Sequence, residues 1–277
     1  MSRVIAIANQ KGGVGKTTTA INLGAALAVA EHPTLVVDTD PQGNATSGMG
    51  VEGRDSLPTI YDVLVEQRPI EETILREVHF PYLDMIPSTR DLVGAEIELV
   101  GEGSRETIFK RALEPIRSRY EFILVDCPPS LGLLTLNTLA AADSVLIPIQ
   151  CEFYALEGLS QLLNTVRLVQ RNLNPELEIE GVLLTMFDRR LNLSNQVAEE
   201  AREYFGDKVY ETVIPRNVRL AEAPSFGQPI LQYDILSTGA QSYLRLANEL
   251  AERTGREGIG DSGSYLGEPR LEEAEAP

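Results

Sequence analysis

The chain has 277 residues and a mass of 30.4 kDa, which one large α/β domain can fill, and its 43% hydrophobic and 23% charged residues exclude a disordered or low-complexity protein. With 24 lysines and arginines against 41 aspartates and glutamates the net charge is −17, so any affinity for DNA or an anionic membrane has to come from a local patch. Two cysteines, Cys127 and Cys151, exclude a secreted disulfide scaffold; together with the lack of an export signal and of any apolar run of ~20 residues, they lead us to expect a protein of the reducing cytosol.

In chain order the pattern is strand then helix, repeated, which predicts a parallel sheet covered on both faces. Val4 to Ala8 is a β-branched run, followed by helical spacing of Ile21, Leu23, Ala26 and Leu27 within Thr17 to Ala30. Thr34 to Val37 is the next apolar run, and it opens into Asp38-Thr39-Asp40-Pro41-Gln42-Gly43. Residues 51 to 80 are irregular, punctuated by Pro58 and Pro69. Leu83 to Ile86 reads as a strand and Ser104 to Arg119 as an amphipathic helix. Strands follow at Phe122 to Val125, Val145 to Ile149 and Ile179 to Thr185, with a helix at Leu156 to Val169; Val209 to Ile214 is expected to be the last strand. A helix from Ser237 closes the domain. The expected division is a domain over 1–254 and a flexible acidic tail over 255–277, where two arginines meet six acids.

The strongest chemical signal is Lys11-Gly12-Gly13-Val14-Gly15-Lys16-Thr17-Thr18, placed between a predicted strand and a predicted helix. Glycines let backbone N–H groups turn inward around a phosphate, and the helix N-terminus adds positive potential at the same point. Lys16 is expected to reach the β- and γ-phosphates and the Thr17 hydroxyl to ligate Mg²⁺. The usual first glycine is replaced by Gln10, and a second lysine, Lys11, stands at the loop entrance. Lys11 is either a solvated loop cation or a group that crosses a dimer interface to neutralise charge on the partner's nucleotide, as an arginine finger does. Asp38, Asp40 and Asp126 follow apolar strands, so a parallel sheet brings them to the carboxyl edge beside this loop. There one carboxylate can orient water and another can hold Mg²⁺; for Asp38 a turn-capping role stands beside the metal role.

Lys-Gly-Gly-Val-Gly-Lys-Thr-Thr resembles the deviant Walker A motif of the ParA/MinD group of ATPases. Val37 to Thr46, Phe122 to Ser130 and Ile214 to Ser225 narrow the resemblance to its ParA/Soj partitioning members, over residues 3 to about 250. The resemblance implies a doubly wound, mostly parallel α/β sheet of the P-loop NTPase type. It implies ATP and Mg²⁺ as ligands, Asp40 positioning the attacking water, Asp126 as the Walker B acid, Asp38 near the metal, and Pro215 and Asn217 bordering the adenine. It further implies a cytoplasmic, nucleoid-associated protein for chromosome or plasmid partitioning. Such a protein forms an ATP-dependent homodimer on double-stranded DNA without sequence preference and is stimulated by a ParB/Spo0J-type partner.

The resemblance also implies DNA contacts from Arg189, Arg190, Arg216 and Arg219, which composition alone reads as solvated surface. The competing function is a positioning ATPase that recruits protein partners and does not use DNA. Iron–sulfur ligation is not expected, because neither cysteine sits in a glycine-flanked loop, and His32 and His79 lack metal-ligand spacing. The C-terminal segment, with one cation and two prolines over its last twelve residues, is not expected to act as a basic membrane-binding helix.

Overall fold

The computed structural model describes residues 2–51, 57–101, 103–152 and 157–258. Six strands form one sheet: β1 (Arg3–Ile7), β2 (Thr34–Asp38), β3 (Leu83–Ile86), β4 (Phe122–Asp126), β5 (Ser144–Gln150) and β6 (Glu178–Thr185). Their order is β3-β2-β4-β1-β5-β6, and every pairing is parallel. The helices are α1 (Lys16–Val29), α2 (Asn44–Gly48), α3 (Ile60–Leu64), α4 (Leu92–Glu98), α5 (Ile108–Arg117), α6 (Leu133–Ala141), α7 (Glu157–Asn172), α8 (Asn192–Phe205), α9 (Val218–Glu222), α10 (Ile230–Tyr233) and α11 (Thr238–Arg253). The fold is the doubly wound α/β arrangement that the strand–helix alternation predicts.

The strands are apolar throughout because both faces of a parallel sheet are covered. Alternate residues feed two separate cores. Val4, Ala6, Leu35, Val37, Ile123 and Val125 join the layer built with α3 to α8. Ile5, Ile7, Val36, Phe122 and Leu124 join the layer of α1, α2, α10 and α11. At the centre β1 pairs with β4 on one side and β5 on the other, so the loop leaving β1 emerges at the crevice where ligands bind in such sheets.

One expected strand is corrected. Val209 to Ile214 does not form a ladder with β6; it touches it through an isolated bridge, Val182 to Val209, and hydrogen bonds from Tyr210 N to Val182 O and from Ile214 N to Leu184 O. Between these points the N–H groups of Glu211 and Thr212 donate to the Glu249 carboxylate of α11, at 2.8 and 2.9 Å. A side chain from another element therefore takes the donors a regular ladder would use. Arg256, which the sequence places in the tail, stacks over Phe122 with its guanidinium carbon 4.3 Å from the ring centroid, and its side chain meets Glu121 at 3.4 Å. The rest of that expected tail, from residue 259, lies outside the described residues.

Candidate active site

The phosphate loop is held by groups on β5 and β6. Asn9, buried at the end of β1, donates to Pro148 O at 2.8 Å and accepts from Lys11 N at 3.0 Å. Thr185, the last residue of β6, donates its hydroxyl to Val14 O at 2.8 Å. Gly15 enters α1 with φ of 90°, a left-handed conformation that a side chain would strain. No side chain caps α1, so the first N–H groups of a fourteen-residue helix are left for an anion. Lys16 is buried in this loop with Nζ 3.3 Å from Lys11 O. Burial lowers its pKa, and the charges of Asp126, Cys127 and Asp40 act in the opposite sense.

Asp38 and Asp126 end adjacent strands in direct register and are both fully buried. Asp38 accepts three hydrogen bonds, from Asp40 N at 3.1 Å, Thr46 N at 2.8 Å and Thr46 Oγ1 at 2.7 Å. Burial pushes its carboxyl up to about 6, with the Thr46 bonds pulling the other way. Its contacts are those of the capping alternative, since it fastens the loop from residue 40 to 46. Among the described residues neither oxygen of Asp126 completes a hydrogen bond. Burial first and the neighbouring Asp38 second raise its carboxyl well above the usual range, while the Thr17 side chain and the Lys16 charge oppose them. Such an orphaned carboxylate facing a hydroxyl and an ammonium fits a hard, oxygen-seeking cation. Among the described residues no group of three or more His, Cys, Asp or Glu side chains could hold a metal ion.

Asp40 is buried, with Oδ1 accepting from Gln42 N at 2.9 Å and its carbonyl accepting from Ser88 Oγ at 2.8 Å. It lines a cavity of about 510 Å³ with Gly12, Gly13, Gly15, Lys16, Thr17 and Thr18 of the loop. The remaining wall includes Met186, Pro224 and Gln228, which the sequence reading did not single out. Pro224 lies inside a segment already quoted for its resemblance; Met186 and Gln228 carry no signal of their own. Lys11 is half-buried at the loop entrance and does not line the cavity. Pro215 and Asn217 do not line it either. Asn217 caps α9, accepting from Leu220 N at 3.2 Å and donating to Thr238 Oγ1 at 2.7 Å, while Pro215 bridges Phe187.

The Phe187–Pro215 bridge brings the segment before Arg189 and Arg190 beside that of Arg216, but three of the four arginines already hold acids. Arg190 grips Asp188 at 2.6 Å, Arg216 meets Glu152 at 2.8 Å, and Arg219 meets Glu222 at 2.9 Å and Asp234 at 3.5 Å. The hydrogen bonds of Arg190 hold the Asp188 carboxyl down at about 2. Both cysteines are buried, and the histidines serve structure: His32 bridges Glu121 and Glu257 O, and His79 meets Met49 O.

Comparison with known proteins accords with this geometry. Residues 2–179 match a family described as an AAA domain. The sporulation initiation inhibitor protein Soj of Bacillus subtilis is 61% identical over 91% of this chain and 99% of its own length. The chromosome partitioning protein ParA of Myxococcus xanthus is 59% identical over 91% and 89%. The chain belongs to the ParA/Soj family of ATPases. Among solved structures, a cobyrinic acid a,c-diamide synthase of Mycobacterium smegmatis with bound ADP and magnesium superposes with a TM-score of 0.79, at 36% identity, covering 93% of this chain and 98% of that one. One of these relatives is named a chromosome partitioning protein, and the related structure holds ADP and magnesium. No described helix is long and apolar enough to cross a membrane.

Proposed function

We propose that the protein is a DNA-partitioning ATPase in which Mg·ATP joins two subunits into a face-to-face dimer that holds DNA until hydrolysis releases both. The observation that carries the reading is the pairing, under one phosphate loop, of an unpartnered buried carboxylate at Asp126 with Thr17 and Lys16. The loop N–H groups and Lys16 hold the phosphates, with Thr17 and Asp126 on the cation side. Mg²⁺, when bound, neutralises phosphate charge and keeps part of its water shell. Asp40 accepts a hydrogen bond from a water and aims its oxygen at the γ-phosphorus. The new P–O bond forms as the bond to the β–γ bridging oxygen breaks, ADP leaves with that electron pair, and the proton lost by the water passes to the oxygens of the released phosphate.

Lys11, which stands outside its own cavity lining, acts across the dimer on the partner's nucleotide. Hydrolysis in the isolated subunit is therefore slow, and a ParB-type partner protein accelerates it. DNA phosphates are met by Arg189, Arg190, Arg216 and Arg219 without sequence preference, displacing the surface acids that now hold three of them. The protein acts in the cytoplasm, on the nucleoid.

The test is binding to random-sequence duplex DNA with ATP, with ADP, and with ATP in Asp40→Ala, across a salt series. The expected result is binding with ATP alone, retained in the variant, and falling steeply with salt. Absence of DNA binding in every nucleotide state, with ATP-dependent dimers intact, replaces this reading with the positioning ATPase that recruits protein partners. Normal turnover in Asp40→Ala removes Asp40 from the mechanism.

A further inference from the structure

The loop that carries Asp40 and the Pro224–Gln228 side of the cavity are separated by more than 170 positions in sequence, yet they touch backbone to backbone. Gly50 has φ of 67° and Gly227 φ of 63°. A methyl group on Gly227 would lie 2.6 Å from Gly50 Cα and 3.0 Å from Gly50 N; one on Gly50 would lie 2.9 Å from Gly227 O. Both positions thus exclude side chains twice over, by conformation and by space. A second contact runs beside the first: a methyl on Gly48 would meet Ile21 Cδ1 at 2.7 Å and Pro224 Cβ at 3.6 Å, and both Ile21 and Pro224 line the cavity.

Each side of the crossing is firmly built into its own element. On one side Gly50 N donates to Ser47 O and Val51 N to Thr46 O, and Thr46 is held by Asp38 two residues before Asp40. On the other, Gly227 N donates to Pro224 O and Gln228 N to Ala223 O. Beyond Gln228, Ile230 N donates to Asn22 Oδ1 at 2.7 Å, and Asn22 Nδ2 donates to Thr18 O at 2.8 Å in the phosphate loop. The far wall of the cavity is therefore linked to both the phosphate loop and the Asp40 loop, the latter through the glycine crossing.

We infer that the Gly50–Gly227 crossing is a positioning contact of the ATPase site: it joins the Pro224–Gln228 wall to the loop carrying Asp40, so that a nucleotide filling the cavity to that wall sets where Asp40 stands. This rests on the proposed role of Asp40 and adds a specificity device to it. A ligand that occupies only the phosphate end leaves the wall free and Asp40 unset. Hydrolysis is thereby reserved for ligands long enough to press on both ends.

The experiment uses the full chain. In Gly227→Ala, turnover at saturating ATP is expected to fall about tenfold or more, as a displaced catalytic group does, while the nucleotide Kd moves less than about threefold. Gly50→Ala should behave alike, and the double variant should be no slower than the slower single, since both break one contact. Gly255→Ala is the control: its φ is 69°, but a methyl there meets nothing, so it shares the conformational strain without the crossing and should turn over normally. Wild-type turnover in Gly227→Ala, or a Kd that rises in step with the loss of turnover, overturns the inference. Should the variants fail to fold, hydrogen exchange on the wild type decides. Mg·ADP must slow the amides of 44–51 in parallel with those of 223–230, and independent behaviour of the two segments overturns it. If the wild type neither binds nor hydrolyses ATP, the functional reading itself falls, which these variants do not address.

Discussion

The ends of β2 and β4 lie side by side, each an apolar strand closing on a fully buried aspartate, and they have opposite fates. At the end of β2 the protein has completed the site: Thr46 and the Asp40 backbone supply three donors to Asp38. At the end of β4, among the described residues, neither oxygen of Asp126 completes a hydrogen bond, although the Thr17 hydroxyl and the Lys16 ammonium face it. A buried carboxylate with incomplete hydrogen bonding is costly, and on the proposed function a bound cation offsets that cost. A buried acid with all its donors marks a joint that must hold while the ligand comes and goes. On the proposed function the chemistry is divided: β4 offers the binding group, and β2 carries the loop that presents Asp40.

That division can be broken from either side. The largest effect belongs to Asp126→Asn, expected to cut phosphate release by about 10²-fold or more while raising the melting temperature of the metal-free protein, because a buried unpaired acid is removed. A variant that melts lower and still turns over would reverse the assignment. Next is Gly12→Val, where a side chain meets open space within the subunit. Folding and nucleotide binding should persist while the ATP-dependent dimer, read by light scattering, is lost.

Thr46→Val tests the completed joint. It leaves Asp38 and the Ser88 N–H short of a partner, the latter now 2.9 Å from the Thr46 hydroxyl, and should cost about 2 kcal/mol in denaturant unfolding. Its pH dependence has a definite sign. The folded Asp38 carboxyl, at about 6, lies above its unfolded value, so the folded state holds the extra proton and stability falls as pH rises through that window. The Thr46 bonds favour the ionised form, so the gap between wild type and variant should widen from pH 5 to pH 8. A constant gap would show that the hydroxyl does not serve the carboxylate. The smallest effect is Asp188→Asn, which frees Arg190 and should tighten ATP-dependent DNA binding a few-fold, roughly one extra phosphate contact. Because Asp188 sits at about 2, lowering the pH to 5 should not produce the same gain.

Much of this was legible in the sequence, for reasons that differ by residue. Strand runs such as Phe122 to Val125 and the loop from Lys11 to Thr18 announce themselves because the constraint is local: burial on both faces in one case, a strand–turn–helix spacing in the other. The fate of Val209 to Ile214 was not legible, since the Glu249 carboxylate that takes its donors lies on a helix 37 residues further on. The same limit separates Asp38 from Asp126. Both follow apolar strands, and only the placement of Thr46 tells them apart. Gln228 and Met186 were invisible because a cavity wall is a property of the packed chain, whereas Asn217, with its short hydrogen-bonding side chain before a helix, is used as a cap in the way such residues usually are.

The hydrogen bond from Thr185 to Val14 spans 171 residues, and the one joining Thr19 to Tyr243 spans 224. The loop that is translated first is therefore finished last. At ~5–20 residues per second it waits on the order of ten to thirty seconds for the strand that anchors it, and longer for the helix that packs behind it. β1 waits as well, since both of its sheet partners, β4 and β5, begin more than a hundred residues downstream. A chain that ends before β6 lacks the Thr185 anchor of the phosphate loop, and on the proposed function such a half-made subunit is kept out of the ATP-dependent assembly.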